Sequence, residues 1–150
     1  MGMISRRSLL AASALVPLIP APVSAAPIPV KLYKNPQCSC CEAYADYLRQ
    51  NGFTVEVVPS NDLVTMARDK GVPEELDGCH ISMIGGYVVI GHVPIDAIRK
   101  LLAEQPKIVG ISIPGMPAGL PGMPGPRDES IAIYEIAAGA AAPKVFMTAS

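Results

Sequence analysis

Val30-Lys31-Leu32-Tyr33, then Asn35-Pro36, then Cys38-Ser39-Cys40-Cys41 running into the segment from Glu42 to Gln50, is the stretch that decides the fold. Its first four residues alternate apolar and polar, the periodicity of a strand, and Asn35-Pro36 breaks that pattern into a turn. From Glu42 onward Ala43, Tyr44, Tyr47 and Leu48 recur at helical spacing until Asn51-Gly52, a good helix stop. Strand, turn and helix in that order put three thiols at a helix N-terminus.

Working outward, Phe53 to Val58 reads as a second strand ended by Pro59. Asp62 to Lys70 reads as a second helix, capped by Asn61 or Asp62 and closed by Gly71. Ile81 to Ile84 and Tyr87 to Ile90, separated only by Gly85-Gly86, predict a hairpin with a primed turn. Pro94 and Asp96 open a third helix whose buried stripe is Ile95, Ile98, Leu101 and Leu102. The segment from Pro106 to Arg127 turns to Pro, Gly and Met, and reads as an irregular loop. Ile131 to Ala137 and Lys144 to Thr148 are two more strand candidates. This order predicts an α/β, thioredoxin-like domain: strand, helix, strand, helix, hairpin, helix, with a Pro/Gly/Met-rich loop and a C-terminal strand extension.

A chain of 150 residues, half of them hydrophobic, has the length for one domain with a real core. Its start reads as a leader at residues 1–25, cleaved after Ala25 or Ala26. A short positive segment with Arg6 and Arg7 comes first, then a brief apolar run interrupted by Pro17 and Pro20, then small residues. Ser5-Arg6-Arg7-Ser8-Leu9-Leu10 also matches a twin-arginine signal, lacking the Phe and Lys often found beyond the pair, so that route and the general secretory one both fit. The leader holds two arginines and no acidic residue, so its loss moves the formal net charge from −1 to −3. No basic patch is left to neutralise phosphates, which argues against nucleic acid as a partner. No apolar run reaches the length of a membrane span. Residues 26–150 are therefore expected to be a soluble, exported domain in an oxidising compartment.

In such a compartment cysteines pair or hold metal. One pairing scheme is Cys38 with Cys41 and Cys40 with Cys79. A domain of this length needs no staples, however, and adjacent Cys40 and Cys41 pair with each other only under strain. Thiolates are favoured at a helix N-terminus, where free amides and the positive end of the dipole stabilise the anion. Soft thiolate and thioether donors select Cu(I), whereas a structural zinc site more often shows two spaced ligand pairs. Cys38, Cys40, Cys41 and Cys79 are thus expected ligands. In a thioredoxin-like fold Cys79 and His80 face the start of the first helix, and His92 follows the partner strand of the hairpin. Met116 and Met123 sit in the near-repeat Pro114-Gly115-Met116-Pro117 and Pro121-Gly122-Met123-Pro124, without the spacing of core residues, and are candidate thioether ligands or transfer sites. Met66, Met83 and Met147 read as core filling, and Tyr44 and Tyr47 likewise.

The run from Tyr33 to Cys41, Gly78-Cys79-His80, the run from Gly85 to Pro94, and Pro114-Gly115-Met116-Pro117, in that order, resemble the CopG-type copper-resistance family, long catalogued as a domain of unknown function. The resemblance extends from about Ile28 to Phe146. It implies a periplasmic thioredoxin-like protein that binds copper through the Cys-x-Cys-Cys motif and the later cysteine in a multinuclear, cysteine-bridged cluster, with a redox role toward copper. Carried onto this chain, it places Cys38, Cys40, Cys41 and Cys79 in the cluster and His80, His92, Met116 and Met123 as supporting ligands. The Ala-rich stretch from Ala137 to Ala142 departs from the pattern and puts the last strand in doubt. Two other readings stay open. One is a thiol-disulfide oxidoreductase, since Cys38 to Cys41 is a Cys-x-x-Cys, although Cys79-His80 stands where such folds carry a Pro. The other is a passive carrier that sequesters copper or donates it to an efflux system.

Overall fold

The computed structural model describes residues 26–127 and 129–149; the expected leader lies outside them. Strand β1 (Ile28–Lys34) leads into helix α1 (Ser39–Gln50), which returns the chain to β2 (Phe53–Pro59), parallel to β1 from Ile28 opposite Phe53 to Lys34 opposite Pro59. Helix α2 (Leu63–Asp69) and a single 3-10 turn (Glu74–Leu76) lead to β3 (His80–Ile84), which runs antiparallel to β1. Gly85 and Gly86, at φ +56° and +87°, make the tight turn into β4 (Tyr87–Ile90). Both central residues have positive φ, as the expected primed turn requires. Helix α3 (Ile95–Glu104) follows, then β5 (Gly110–Ser112) parallel to β4, and β6 (Ile131–Ile136) and β7 (Lys144–Ala149) antiparallel beyond it. The result is one mixed sheet in the order β2-β1-β3-β4-β5-β6-β7.

Three expectations need correction. Helix α1 begins at Ser39, so Cys40 and Cys41 lie in its first turn and Cys38 is its N-cap residue. Its buried stripe is Cys41, Tyr44, Ala45 and Leu48, an i, i+3, i+4, i+7 set, which leaves Ala43 exposed. The segment from Pro106 to Arg127 is not wholly irregular: Gly110–Ser112 is a sheet strand held between β4 and β6. Three residues are too few to print a period, so only pairing reveals it. The final strand forms despite the Ala-rich stretch, with a register shift between Ile133 and Tyr134.

The sheet is covered on two faces. Val30, Leu32, Ile84, Val89 and Ile111 pack under α1 and α3, with Tyr44, Leu48, Ile98 and Leu101 fully buried. Ile81, Val88 and Ile90 face the other way, with Ala67, Val72 and Leu76. Alternation along β1 and β3 therefore decides which side chains meet α1. Val30 and Leu32 are followed on that face by Lys34, and Ile84 and Ser82 by His80, so two polar residues, directly opposite in register, end the apolar face beside the start of α1. Among the described residues no helix is long and apolar enough to cross a membrane.

Candidate metal centre

Asn35 shapes the approach to the cysteines. Its side-chain Oδ1 accepts from the Gln37 amide at 3.0 Å and its carbonyl from the Cys38 amide at 3.0 Å, an Asx-type turn that delivers Cys38 to the N-cap of α1. No side chain caps the helix there, so its first amides are open to a thiolate. Cys38 and Cys41, one turn apart, are joined by a disulfide with a Cα–Cα distance of 5.6 Å. Cys40 and Cys79 are free thiols. One half of the cysteine pairing scheme is thus present and the other is not. Cys40 Sγ lies 3.3 Å from Cys38 Sγ, and the buried Cys41 sulfur is 3.6 Å from the Cys79 carbonyl. The sulfurs of Cys38, Cys40, Cys41 and Cys79 all lie within 4.8 Å of one another.

Cys79 is also the corner of a second group. Its sulfur is 3.2 Å from His80 Nδ1 and 3.3 Å from His92 Nε2. Both rings stack around Tyr44, at centroid distances of 4.7 and 5.2 Å, and the Tyr44 hydroxyl donates to the Val93 carbonyl at 2.8 Å. Tyr44 is core, as expected, and also a wall for both imidazoles. Burial holds His80 neutral, its pKa pushed down to about 3 with help from neighbouring His92. Burial lowers that of His92 as well, against the opposing pull of the Pro121 carbonyl. The Cys79 thiol is pushed up, first by burial and then by Cys40 beside it. Neutral imidazoles keep lone pairs for a metal, and a reluctant thiol gains from a cation that stabilises its anion.

The two Pro-Gly-Met repeats flank this cluster. Gly115 bridges to Gly78, and Met116 is 61% exposed at a cavity of about 240 Å³ that it shares with Cys79. The second repeat is pressed inward: the Pro121 carbonyl accepts from His92 Nδ1 at 2.7 Å, and half-buried Met123 packs against the core that contains the cysteines. A second cavity of about 340 Å³ opens on Cys38 and Cys79 between the Asn35 turn and the start of α2. The eight residues singled out in the sequence therefore lie in or around one site, the four cysteines in one group, His80 and His92 joined to it through Cys79, and Met116 at its rim.

Lys34 was missed. It is 3% exposed, and its Nζ meets Glu42 Oε1 at 3.1 Å and donates to the carbonyls of Asn35 and Pro36 at 3.3 and 3.4 Å. It ties the end of β1 to the cysteine turn and to the first turn of α1. The signal was available: Lys34 follows Val30 and Leu32 in the buried phase of a strand.

The model of the family described as "Protein of unknown function, DUF411" matches residues 76–123. The solved structure of copper resistance protein copG, form 2, superposes with a TM-score of 0.75 at 31% identity, over 83% of this chain and 99% of that one. Form 1 gives 0.74 at 31% identity, over 82% and 98%. No curated protein matches.

Proposed function

The chain belongs to the CopG-type copper-resistance family, and from that premise we propose that it is a periplasmic copper-binding protein of copper tolerance that holds Cu(I) on Cys38, Cys40, Cys41 and Cys79. His80, His92, Met116 and Met123 support the site, and more than one ion is held through bridging thiolates. The observation that carries this reading is the meeting of four sulfurs within 4.8 Å at a helix N-terminus. That is a soft, anion-stabilising donor set, which fits Cu(I) better than harder cations. The strand order β2-β1-β3-β4, with Cys38, Cys40 and Cys41 at the start of α1 and Cys79 just before β3, supports a thioredoxin-like ancestry. The apolar, Arg-bearing leader, taken as cleaved at residues 1–25, supports export. Copper ions are the partners the site chemistry names, and a copper efflux system or another periplasmic copper protein is the natural recipient.

The Cys38–Cys41 disulfide favours a second reading, thiol-disulfide exchange of the thioredoxin type, because a disulfide spanning one helical turn at an N-terminus is the usual redox arrangement. One experiment separates the two. The chain from Ala26 onward is reduced anaerobically and titrated with Cu(I) against a chromogenic chelator, in the wild type and in Cys40→Ser, with zinc in parallel. Uptake of more than one Cu(I) per chain, diminished in Cys40→Ser and unmatched by zinc, is the expected result. Failure to compete with the chelator, combined with ready exchange with a disulfide substrate, would replace copper binding by the oxidoreductase reading. Multiple turnover in a copper oxidation or reduction assay then separates a redox enzyme from a carrier.

A further inference from the structure

The donors fall into two sets that share Cys79. Cys38, Cys40, Cys41 and Cys79 make one; Cys79, His80 and His92, also mutually within 4.8 Å, make the other. The disulfide treats the sets differently. When Cys38 and Cys41 are joined, the thiol set keeps only Cys40 and Cys79. The mixed set loses nothing.

The mixed set is also the better organised of the two. The Pro121 carbonyl can only accept, so its 2.7 Å contact puts the His92 proton on Nδ1 and leaves the Nε2 lone pair toward Cys79, 3.3 Å away. A carbonyl bonded to the far nitrogen of an imidazole is the usual outer support of a metal-bound histidine. His80 is fully buried, with Nδ1 at 3.2 Å from the Cys79 sulfur. The two rings sit edge to face at 5.0 Å, and Tyr44 backs both.

We infer that Cys79, His80 and His92 form a distinct metal site that persists when the Cys38–Cys41 disulfide is closed and takes a single borderline divalent ion, copper(II) foremost. One thiolate with two imidazoles is the donor set of trigonal copper sites, which accommodate the divalent ion, whereas a cluster of thiolates alone favours Cu(I). The inference rests on the copper reading above and deepens it. The state of one disulfide sets which oxidation state of copper the pocket suits, and Cys79 serves both.

The test uses the Cys40→Ser chain from Ala26 onward with the disulfide closed, so that Cys79 is its one free thiol, a state verified by thiol counting. Cobalt(II), which does not oxidise the thiol, and copper(II) are added separately. One equivalent of each binds, with a thiolate-to-metal charge-transfer band, and copper(II) binds more tightly than cobalt(II). The band is absent in Cys79→Ser, and His92→Gln weakens binding by about tenfold or more. Thermal melting of each metal-free variant shows whether it is folded; His80→Gln, whose ring is deeply buried, is read only alongside the half-buried Cys79→Ser. Absence of stoichiometric binding to the closed chain, or a band unchanged in both Cys79→Ser and His92→Gln, overturns the inference. The Cu(I) titration of the reduced wild type is run beside it. Uptake there with none in the closed chain removes only this site, and uptake in neither removes the copper reading itself.

Discussion

Pro114-Gly115-Met116-Pro117 and Pro121-Gly122-Met123-Pro124 are nearly the same four residues twice, and the fold uses them in opposite ways. Both glycines have positive φ, +73° and +78°. A side chain at Gly115 would meet nothing within 4 Å, whereas a Cβ at Gly122 would stand 2.9 Å from the Tyr44 amide nitrogen and 3.2 Å from the Cys40 carbonyl. The first repeat presents its side chain, Met116, to solvent. The second works chiefly through its backbone, with Gly122 against the first turns of α1 and the Pro121 carbonyl on His92. Local sequence sets the turn geometry in both; what packs against the turn sets the role.

The largest effect should come from breaking that contrast at the glycines. Gly122→Ala combines a left-handed backbone with a collision against helix backbone, which cannot swing aside as a side chain would. It should cost about 2–4 kcal/mol in chemical denaturation and displace the carbonyl that orients His92. Gly115→Ala carries only the backbone penalty, about 1 kcal/mol. Equal losses at the two positions would mean that the second repeat does not press on α1. The methionines should repeat the contrast at smaller scale. Met123→Ala should cost about 1–2 kcal/mol, below the range for core methionines because it is only half-buried. Met116→Ala should stay within about 0.5 kcal/mol.

How far the sequence was legible follows the same division. Strand alternation, helical spacing and the Gly85-Gly86 turn are local signals, and they located β1 through β4 and the three helices to within a few residues. The close spacing of Cys38, Cys40 and Cys41 announced that their sulfurs would meet, and they do. His92 was harder, since its approach to Cys79 depends on how the chain leaves β4, which no local period encodes. Strand β5 was hidden because three residues carry no period and its pairing comes from β4 and β6. The backbone role of Pro121 and Gly122 was hidden for a deeper reason: the group that accepts from His92 is a backbone carbonyl, and a sequence does not show where a carbonyl points. Lys34 belongs between these cases, since its phase on β1 was readable but its partners, two turn carbonyls and Glu42, were not.

The smallest predicted effect concerns traffic through the site. Met116 is 61% exposed and borders the cavity that reaches Cys79, a position from which a thioether can hold Cu(I) in passage without being needed to retain it. Met116→Leu keeps the apolar bulk and removes the donor sulfur. Copper stoichiometry and affinity at equilibrium should therefore match the wild type, while the rate at which a competing chelator withdraws Cu(I), followed by stopped-flow absorbance, falls severalfold. Met123→Leu should leave that rate nearer the wild-type value, because its sulfur is packed inward. A loss of bound copper in Met116→Leu would make this methionine a resident ligand instead, and an unchanged rate would assign the first repeat to the loop's structure alone.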